Sequence, residues 1–299
     1  MAGDPSSGLR WRGMTGAERE RAYSPSSCLA DGDYRPFVEA YRNRSDAAWS
    51  AVHAMSDVRV DQLRYGDGPA NTVDVAVPVG DRQPPLLVYL HGGYWQELSK
   101  LDSRFAAADC IRRGWGFAAV DYTLAPEASV PAIVEECRRS IATLRSNVAT
   151  LGFDPARLVV AGSSAGAHLA AMVCLDAEPA IAGAVLVSGI FELEPLIGTS
   201  INEALGLDAD AARRNSPLLA DRARLAAAPP TVIAHGQYET AEFKAQSRAF
   251  AARLGPSGRA GTPIEIVGRN HFDVILDLAA PETTLGAAVA ALVAATATA

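Results

Sequence analysis

The stretch Leu158-Val159-Val160-Ala161-Gly162-Ser163-Ser164-Ala165-Gly166-Ala167-His168-Leu169 decides how the chain folds. Four apolar residues read as a buried strand. A tight Gly-Ser-Ser-Ala-Gly turn follows, and an alanine-rich helix opens straight out of it. A serine at the centre of such a turn has a crowded, strained backbone. Glycines on both flanks remove the clashes, and the helix N-terminus lends positive potential to the serine. Ser164 holds that central position and is the candidate nucleophile. Ser163 lies off-centre and is read as structural. A glycine-rich turn with no chemistry is the competing reading, and the placement between strand and helix weighs against it.

Outward from this turn, short apolar runs read as buried parallel strands over residues 86–90, 117–120, 158–161, 184–187, 231–234 and 264–267. Helical stretches over 103–113, 132–147, 165–175, 241–254 and 283–295 alternate with them. Two earlier segments, 58–65 and 72–77, alternate like edge strands around an Asp67-Gly68-Pro69 turn. The alternation predicts an α/β protein: one mostly parallel sheet with helices on both faces, in a single domain spanning 1–299. Residues 1–54 are polar and poorly periodic and read as an N-terminal arm. Residues 191–228 break the rhythm and are expected to form a cap insertion over the site.

In such sheets, ligands bind at the carboxyl ends of the strands, so chemistry belongs in the turns that follow the apolar runs. His91-Gly92-Gly93-Tyr94-Trp95 directly follows one of them. Acyl transfer creates a tetrahedral oxyanion that needs several backbone N–H groups aimed at one point, and a glycine pair lets the chain turn sharply enough to present them. By analogy with hydrolases that carry HGGG at this place, Gly93 and Tyr94 supply donors together with Ala165. His91 is read as a brace for the loop. The general base should follow the last strand. Of five histidines, His271 is the one placed there, in Asn270-His271-Phe272-Asp273. The orienting acid should follow the strand before it. Glu239 lies in that turn. Glu242 is the alternative, although it opens a helix, where a carboxylate also suits the dipole.

HGGYWQELSK (91–100), VDYTLAPE (120–127), GSSAGAHLA (162–170), ETAEFKAQS (239–247) and NHFD (270–273), in this order, resemble kynurenine formamidase, as does the early YSPSSCL (23–29). The resemblance runs from Tyr23 to Asp273 and implies an α/β-hydrolase fold. HGGYW is more specific than the serine turn, because the wider esterase group carries a third glycine where this chain has Tyr94. Carried over by position, Ser164 is the nucleophile, His271 the base and HGGYW the oxyanion loop. The family's acid, an aspartate, falls on Glu239, which keeps the charge and lengthens the reach. The family hydrolyses N-formyl-L-kynurenine to L-kynurenine and formate in tryptophan catabolism. An aromatic wall of Tyr94 and Trp95 would receive the flat leaving arylamine. The resemblance implies no cofactor and no metal.

Composition narrows the rivals. With 49% hydrophobic residues in 299, the chain has material for a large core. A net charge of −7 disfavours nucleic acid and anionic membrane as partners and leaves a small-molecule substrate. A homodimer is compatible with the sequence. No secretory leader or membrane span is expected, and four scattered cysteines without metal-ligand spacing suit a cytoplasmic protein with reduced thiols. The C-terminal alanine-rich stretch is expected to be a packed helix. A small-molecule carboxylesterase with the same triad is the alternative activity. A non-catalytic receptor on this fold is disfavoured because such proteins typically lose a triad member, and nucleotide binding is disfavoured because no glycine-rich phosphate loop follows any strand.

Overall fold

Among the described residues, eight strands join in one sheet: β1 Val58–Arg64, β2 Thr72–Pro78, β3 Leu86–Leu90, β4 Gly116–Val120, β5 Leu158–Ser163, β6 Gly183–Val187, β7 Thr231–Tyr238 and β8 Ile264–Asn270. The computed structural model describes residues 8–176 and 181–297, so the first seven residues, where no leader was expected, lie outside the described residues. The spatial order is β1-β2-β4-β3-β5-β6-β7-β8. β1 and β2 form an antiparallel hairpin, β2 meets β4 antiparallel, and all other neighbours are parallel. Among the described residues, eleven α-helices surround it: α1 Gly16–Ala22, α2 Arg35–His53, α3 Ala107–Arg112, α4 Val130–Ser146, α5 Val148–Leu151, α6 Ala165–Leu175, α7 Ile201–Leu205, α8 Ala209–Arg214, α9 Arg222–Ala227, α10 Ala241–Leu254 and α11 Thr284–Ala295.

The two-residue period of the strands splits the core in two. On β3, Leu86, Val88 and Leu90 join the cluster that receives α4, α6 and α10. Leu87 and Tyr89 point the other way, into the cluster that receives α2, α3 and α11. Helix α6 is buried along its whole length, as its uniformly apolar sequence requires. The expected helix over 103–113 starts later, at Ala107, because Lys100–Asp102 form a 3-10 turn and the Ser103 hydroxyl bonds back to the Ser99 carbonyl at 2.7 Å. The C-terminal stretch does pack, through Leu285, Val289, Leu292 and Val293 of α11. Cys110, Cys137 and Cys174 are buried free thiols, and Cys28 is an exposed one. Among the described residues, no helix is long and apolar enough to cross a membrane.

The arm joins both cores. Leu9, Trp11 and Tyr23 belong to one cluster, and Tyr41 and Val52 to the other. The chain therefore crosses the carboxyl edge of the sheet between residues 23 and 41, above the strand ends. A buried ionic group anchors it behind the crossing. Asp74 of β2 pairs with Lys100 at 2.9 Å and with Arg104, whose amide bonds Ser45 of α2 at 3.0 Å. Residues 191–228 fold into α7, α8, α9 and short turns. They clamp α6 and α10: His168 Nε2 meets the Asn215 carbonyl at 2.7 Å, and Arg253 donates to Leu218 and Ala220 carbonyls at 3.1 and 2.7 Å.

Gly166 sets how closely α6 approaches β3. A Cβ there would lie 2.0 Å from the Leu90 carbonyl oxygen and 2.5 Å from that of His91, and backbone atoms of a central strand have no room to withdraw. Gly166→Ala is expected to lower Tm by roughly 5 °C or more, while Gly80→Ala, with open space around it, shifts Tm by about 1 °C or less. Equal melting curves would contradict the packing described.

His168 makes a second prediction. Burial drives its pKa down from 6.5 to about 4, against the opposing pull of the Asn215 carbonyl. The unfolded chain therefore binds a proton between those values that the folded chain refuses. Stability is complete above pH 6.5 and is lost as pH falls toward about 4. His168→Gln cannot take up that proton. The advantage of wild type over this variant in urea unfolding should shrink by up to about 3 kcal/mol between pH 7 and pH 4. Parallel pH dependences would show that His168 is not a buried neutral group.

Candidate active site

β5 ends at Ser163 and α6 begins at Ala165, leaving Ser164 alone to turn the chain. It does so with φ +55° and ψ −121°, a left-handed conformation that costs a side-chain-bearing residue about 1–3 kcal/mol. The surroundings impose it. The Ser164 amide donates to the Val187 carbonyl at 2.9 Å, and a Cβ on Gly162 would meet the Gly166 carbonyl oxygen at 2.2 Å. Both flanking glycines are therefore needed for the chain to close on itself, and the α6 N-terminus points at the serine.

The loop after β3 lies beside this turn because Leu90 pairs with Gly162 in register. Three consecutive residues, Gly93, Tyr94 and Trp95, have φ values of +88°, +50° and +61°. Gly93 needs its glycine, since a Cβ would sit 2.4 Å from the Glu97 carbonyl oxygen. The Gly93 carbonyl takes the amides of Gln96 and Glu97, both at 2.9 Å, which fastens the coil. Among the described residues the amides of Gly93 and Tyr94 have no backbone partner, so they remain available as donors. Gly92 packs on the serine turn itself: a Cβ would lie 3.3 Å from Ser164 Cβ and 2.8 Å from the Ser163 carbonyl oxygen. From below, the Tyr122 hydroxyl donates to the His91 carbonyl at 2.8 Å, and its ring stacks on the His91 ring at 3.9 Å. His91 Nδ1 contacts the Gly92 carbonyl at 3.0 Å, as a brace would.

His271 follows β8 and Glu239 follows β7, and their side chains meet. His271 Nδ1 lies 3.1 Å from Glu239 Oε2. An ionised carboxylate only accepts, so Nδ1 carries the proton and Nε2 is left as the basic nitrogen. Glu239 Oε1 takes the Ser188 hydroxyl at 2.5 Å and the Gly236 amide. Burial works against the Glu239 charge, but the bond and attraction to His271 and the donors Ser188 and Gly236 outweigh it. The carboxyl is held below the ordinary glutamate range. Phe243 packs edge-on against the imidazole at 4.4 Å. Glu242 is elsewhere: its carboxylate faces the Tyr23 hydroxyl at 3.5 Å, and burial raises its pKa. Among the described residues no group of histidine, cysteine and carboxylate side chains is arranged to hold a metal.

Ser164, His271, Gly93 and Tyr94 line one cavity of about 360 Å³. Ser164 and His271 make no mutual hydrogen bond here, a contact that substrate binding commonly tightens. Trp95 is not part of the cavity, which corrects the expected Tyr94–Trp95 wall. It is fully buried, with its ring 5.0 Å from that of His168 and 6.2 Å from that of Tyr94. The aromatic wall is instead Tyr34, Tyr41, Tyr89, Phe105 and Phe272, with Tyr94 at the side. Most of the cover comes from the arm. Segment 191–228, expected as the cap, contributes only Ser200 and Ile201, and the Ser200 amide is tied to Glu20 of the arm at 2.8 Å. Tyr34, Tyr41 and Ser188 were not singled out in the sequence. Ser188 alone left a signal there, since it stands directly after a strand.

A family model described as the alpha/beta hydrolase fold matches residues 87–273, more than half of the chain. Kynurenine formamidase of Danio rerio is 34% identical over 281 residues, covering 90% of this chain and 93% of that protein. Kynurenine formamidase of Drosophila melanogaster is 29% identical, covering 74% and 77%. Among solved structures, a putative thioesterase from silicibacter sp. tm1040 superposes with a TM-score of 0.73 at 27% identity, covering 88% of this chain and 98% of the other. With the serine turn, the left-handed loop and the Glu239–His271 pair at one cavity, these likenesses identify the chain as a member of the kynurenine formamidase family of α/β-hydrolases.

Proposed function

We propose that this protein hydrolyses an aryl formamide, N-formyl-L-kynurenine, to L-kynurenine and formate. Ser164, His271 and Glu239 act as the catalytic triad. The observation that carries this reading is the Glu239–His271 hydrogen bond at the cavity that also holds Ser164. Ser164 Oγ attacks the formyl carbon while His271 Nε2 takes the hydroxyl proton. The carbonyl oxygen becomes an oxyanion that the amides of Gly93, Tyr94 and Ala165 receive. His271 then gives its proton to the departing aryl nitrogen, leaving a formyl ester on Ser164. A water molecule, deprotonated by the same imidazole, then attacks the formyl carbon; the bond to Ser164 Oγ breaks, His271 returns the proton to Oγ, and formate leaves. Glu239 holds the ring in the tautomer that places the lone pair on Nε2 and stabilises the imidazolium.

The lining of the cavity supports an aryl amine as the leaving group. The aromatic wall further out offers flat apolar surface to a leaving arylamine. The same apparatus cleaves activated esters, since they are easier to open, so carboxylesterase activity is the reading to separate from it.

Release of the aniline from N-formyl-L-kynurenine, followed by absorbance, is expected to have a kcat/KM at least about tenfold above that for phenyl acetate, a difference of roughly 1.4 kcal/mol in transition-state binding. Turnover of the ester with no turnover of the formamide would replace this reading with a carboxylesterase.

A further inference from the structure

Ser188 stands immediately after β6 and is fully buried. Its φ is +52°, left-handed like that of Ser164, although Ser188 is not a nucleophile and does not touch the cavity. Glycine adopts this conformation without strain, and the next residue, Gly189, shows that the chain carries glycine where space demands it: a Cβ there would lie 2.3 Å from the Phe191 ring. Keeping a serine at Ser188 in this strained conformation therefore points to a use for its hydroxyl. That hydroxyl donates to Glu239 Oε1 at 2.5 Å.

The backbone around it gives the bond its meaning. The Val187 carbonyl accepts the Ser164 amide at 2.9 Å, and the Ser188 amide donates to the Ala234 carbonyl of β7 at 2.8 Å. Residues 187 and 188 thus hold the nucleophile turn on one side and the acid's strand on the other. Glutamate has one more rotatable bond than aspartate, so a hydrogen bond to His271 through one oxygen leaves the carboxylate free to swing about it. Fixing the second oxygen removes that freedom. The Gly236 amide also reaches Oε1, and the Ser188 hydroxyl supplies a second direction of restraint from a different strand.

We infer that Ser188 is a positioning residue for the reaction, acting through Glu239 by fixing the carboxylate oxygen that does not face His271. This rests on the proposed triad but not on the formamide as substrate. It assigns a reason for the strained backbone at the end of β6 and for the tolerance of a glutamate as the acid.

The test is a double-mutant cycle with p-nitrophenyl acetate as substrate, read as kcat and KM separately, with Tm measured for each protein. Ser188→Gly removes the hydroxyl and relieves the strain, so it should fold at least as stably as wild type. It should lose about tenfold in kcat, the value of one hydrogen bond to a charged group, with KM within about threefold. In a Glu239→Gln background the same substitution should change kcat by less than about twofold, because the group it acts through is gone. Ser188→Ala, which keeps the strained backbone, should reproduce the kinetic pattern with a lower Tm. Equal losses in both backgrounds, or no loss in the wild-type background, would overturn the inference. Ser164→Ala in the same assay separates the two readings: retained turnover there would mean that the triad itself is misassigned.

Discussion

A single left-handed residue fixes this molecule. Because α6 starts one residue after β5 ends, Ser164 alone must reverse the chain, and the helix is pulled hard against the neighbouring strand. Gly166 then faces the carbonyls of Leu90 and His91 with no room for a side chain. That contact places the exit of β3, and with it the His91–Trp95 loop, beside the serine. The loop's left-handed coil leaves the Gly93 and Tyr94 amides without backbone partners. Strain at Ser164 and free amides in the His91–Trp95 loop are two consequences of one packing constraint, which a well-packed sheet can hold but a mobile loop could not.

The cavity above these groups is closed from two sides by elements tied to the catalytic loops. The Tyr94 hydroxyl donates to the Tyr23 carbonyl of the arm. Thr240, the residue after Glu239, caps α10 and donates its hydroxyl to the Ala22 carbonyl at 2.6 Å. Gln246 bridges the Tyr23 hydroxyl at 3.2 Å and the amides of Phe191 and Glu192, both at 2.9 Å. Each bond contributes only about 1 kcal/mol, but all are made to groups that burial would otherwise leave unsatisfied. The arm is in this sense part of the site: it covers the cavity and is held by the His91–Trp95 loop and by α10.

The elements that position the chemistry were legible because each follows from a local rule. A buried strand running into Gly-Ser-Ser-Ala-Gly gives the strained turn at Ser164, and the turns after the last two strands give Glu239 and His271 their places. What was not legible depends on contacts between distant segments. Trp95 follows Tyr94 in sequence, yet Tyr94 lines the cavity and Trp95 is buried in the core against His168. The arm carries weak periodicity, so its tyrosines gave no hint that Tyr34 would reach Glu97 at 3.2 Å or that Tyr34 and Phe37 would stack on Phe272 at 5.8 and 5.4 Å. Residues 191–228 broke the strand–helix rhythm visibly, but composition could not say that they clamp α6 and α10 more than they roof the cavity. β7 runs on to Tyr238, past the apolar residues that marked it, because Tyr238 pairs with Asn270 across a bulge.

The central claim is that the constraint on Ser164 produces one activated hydroxyl in this protein. Treatment with a fluorophosphonate, followed by peptide mass spectrometry, tests it directly. A single adduct is expected, on Ser164 and not on Ser163, and its formation should slow at least about a hundredfold in His271→Ala because the proposed general base is gone. An adduct on any other residue, or labelling of Ser164 at an unchanged rate in His271→Ala, would contradict it.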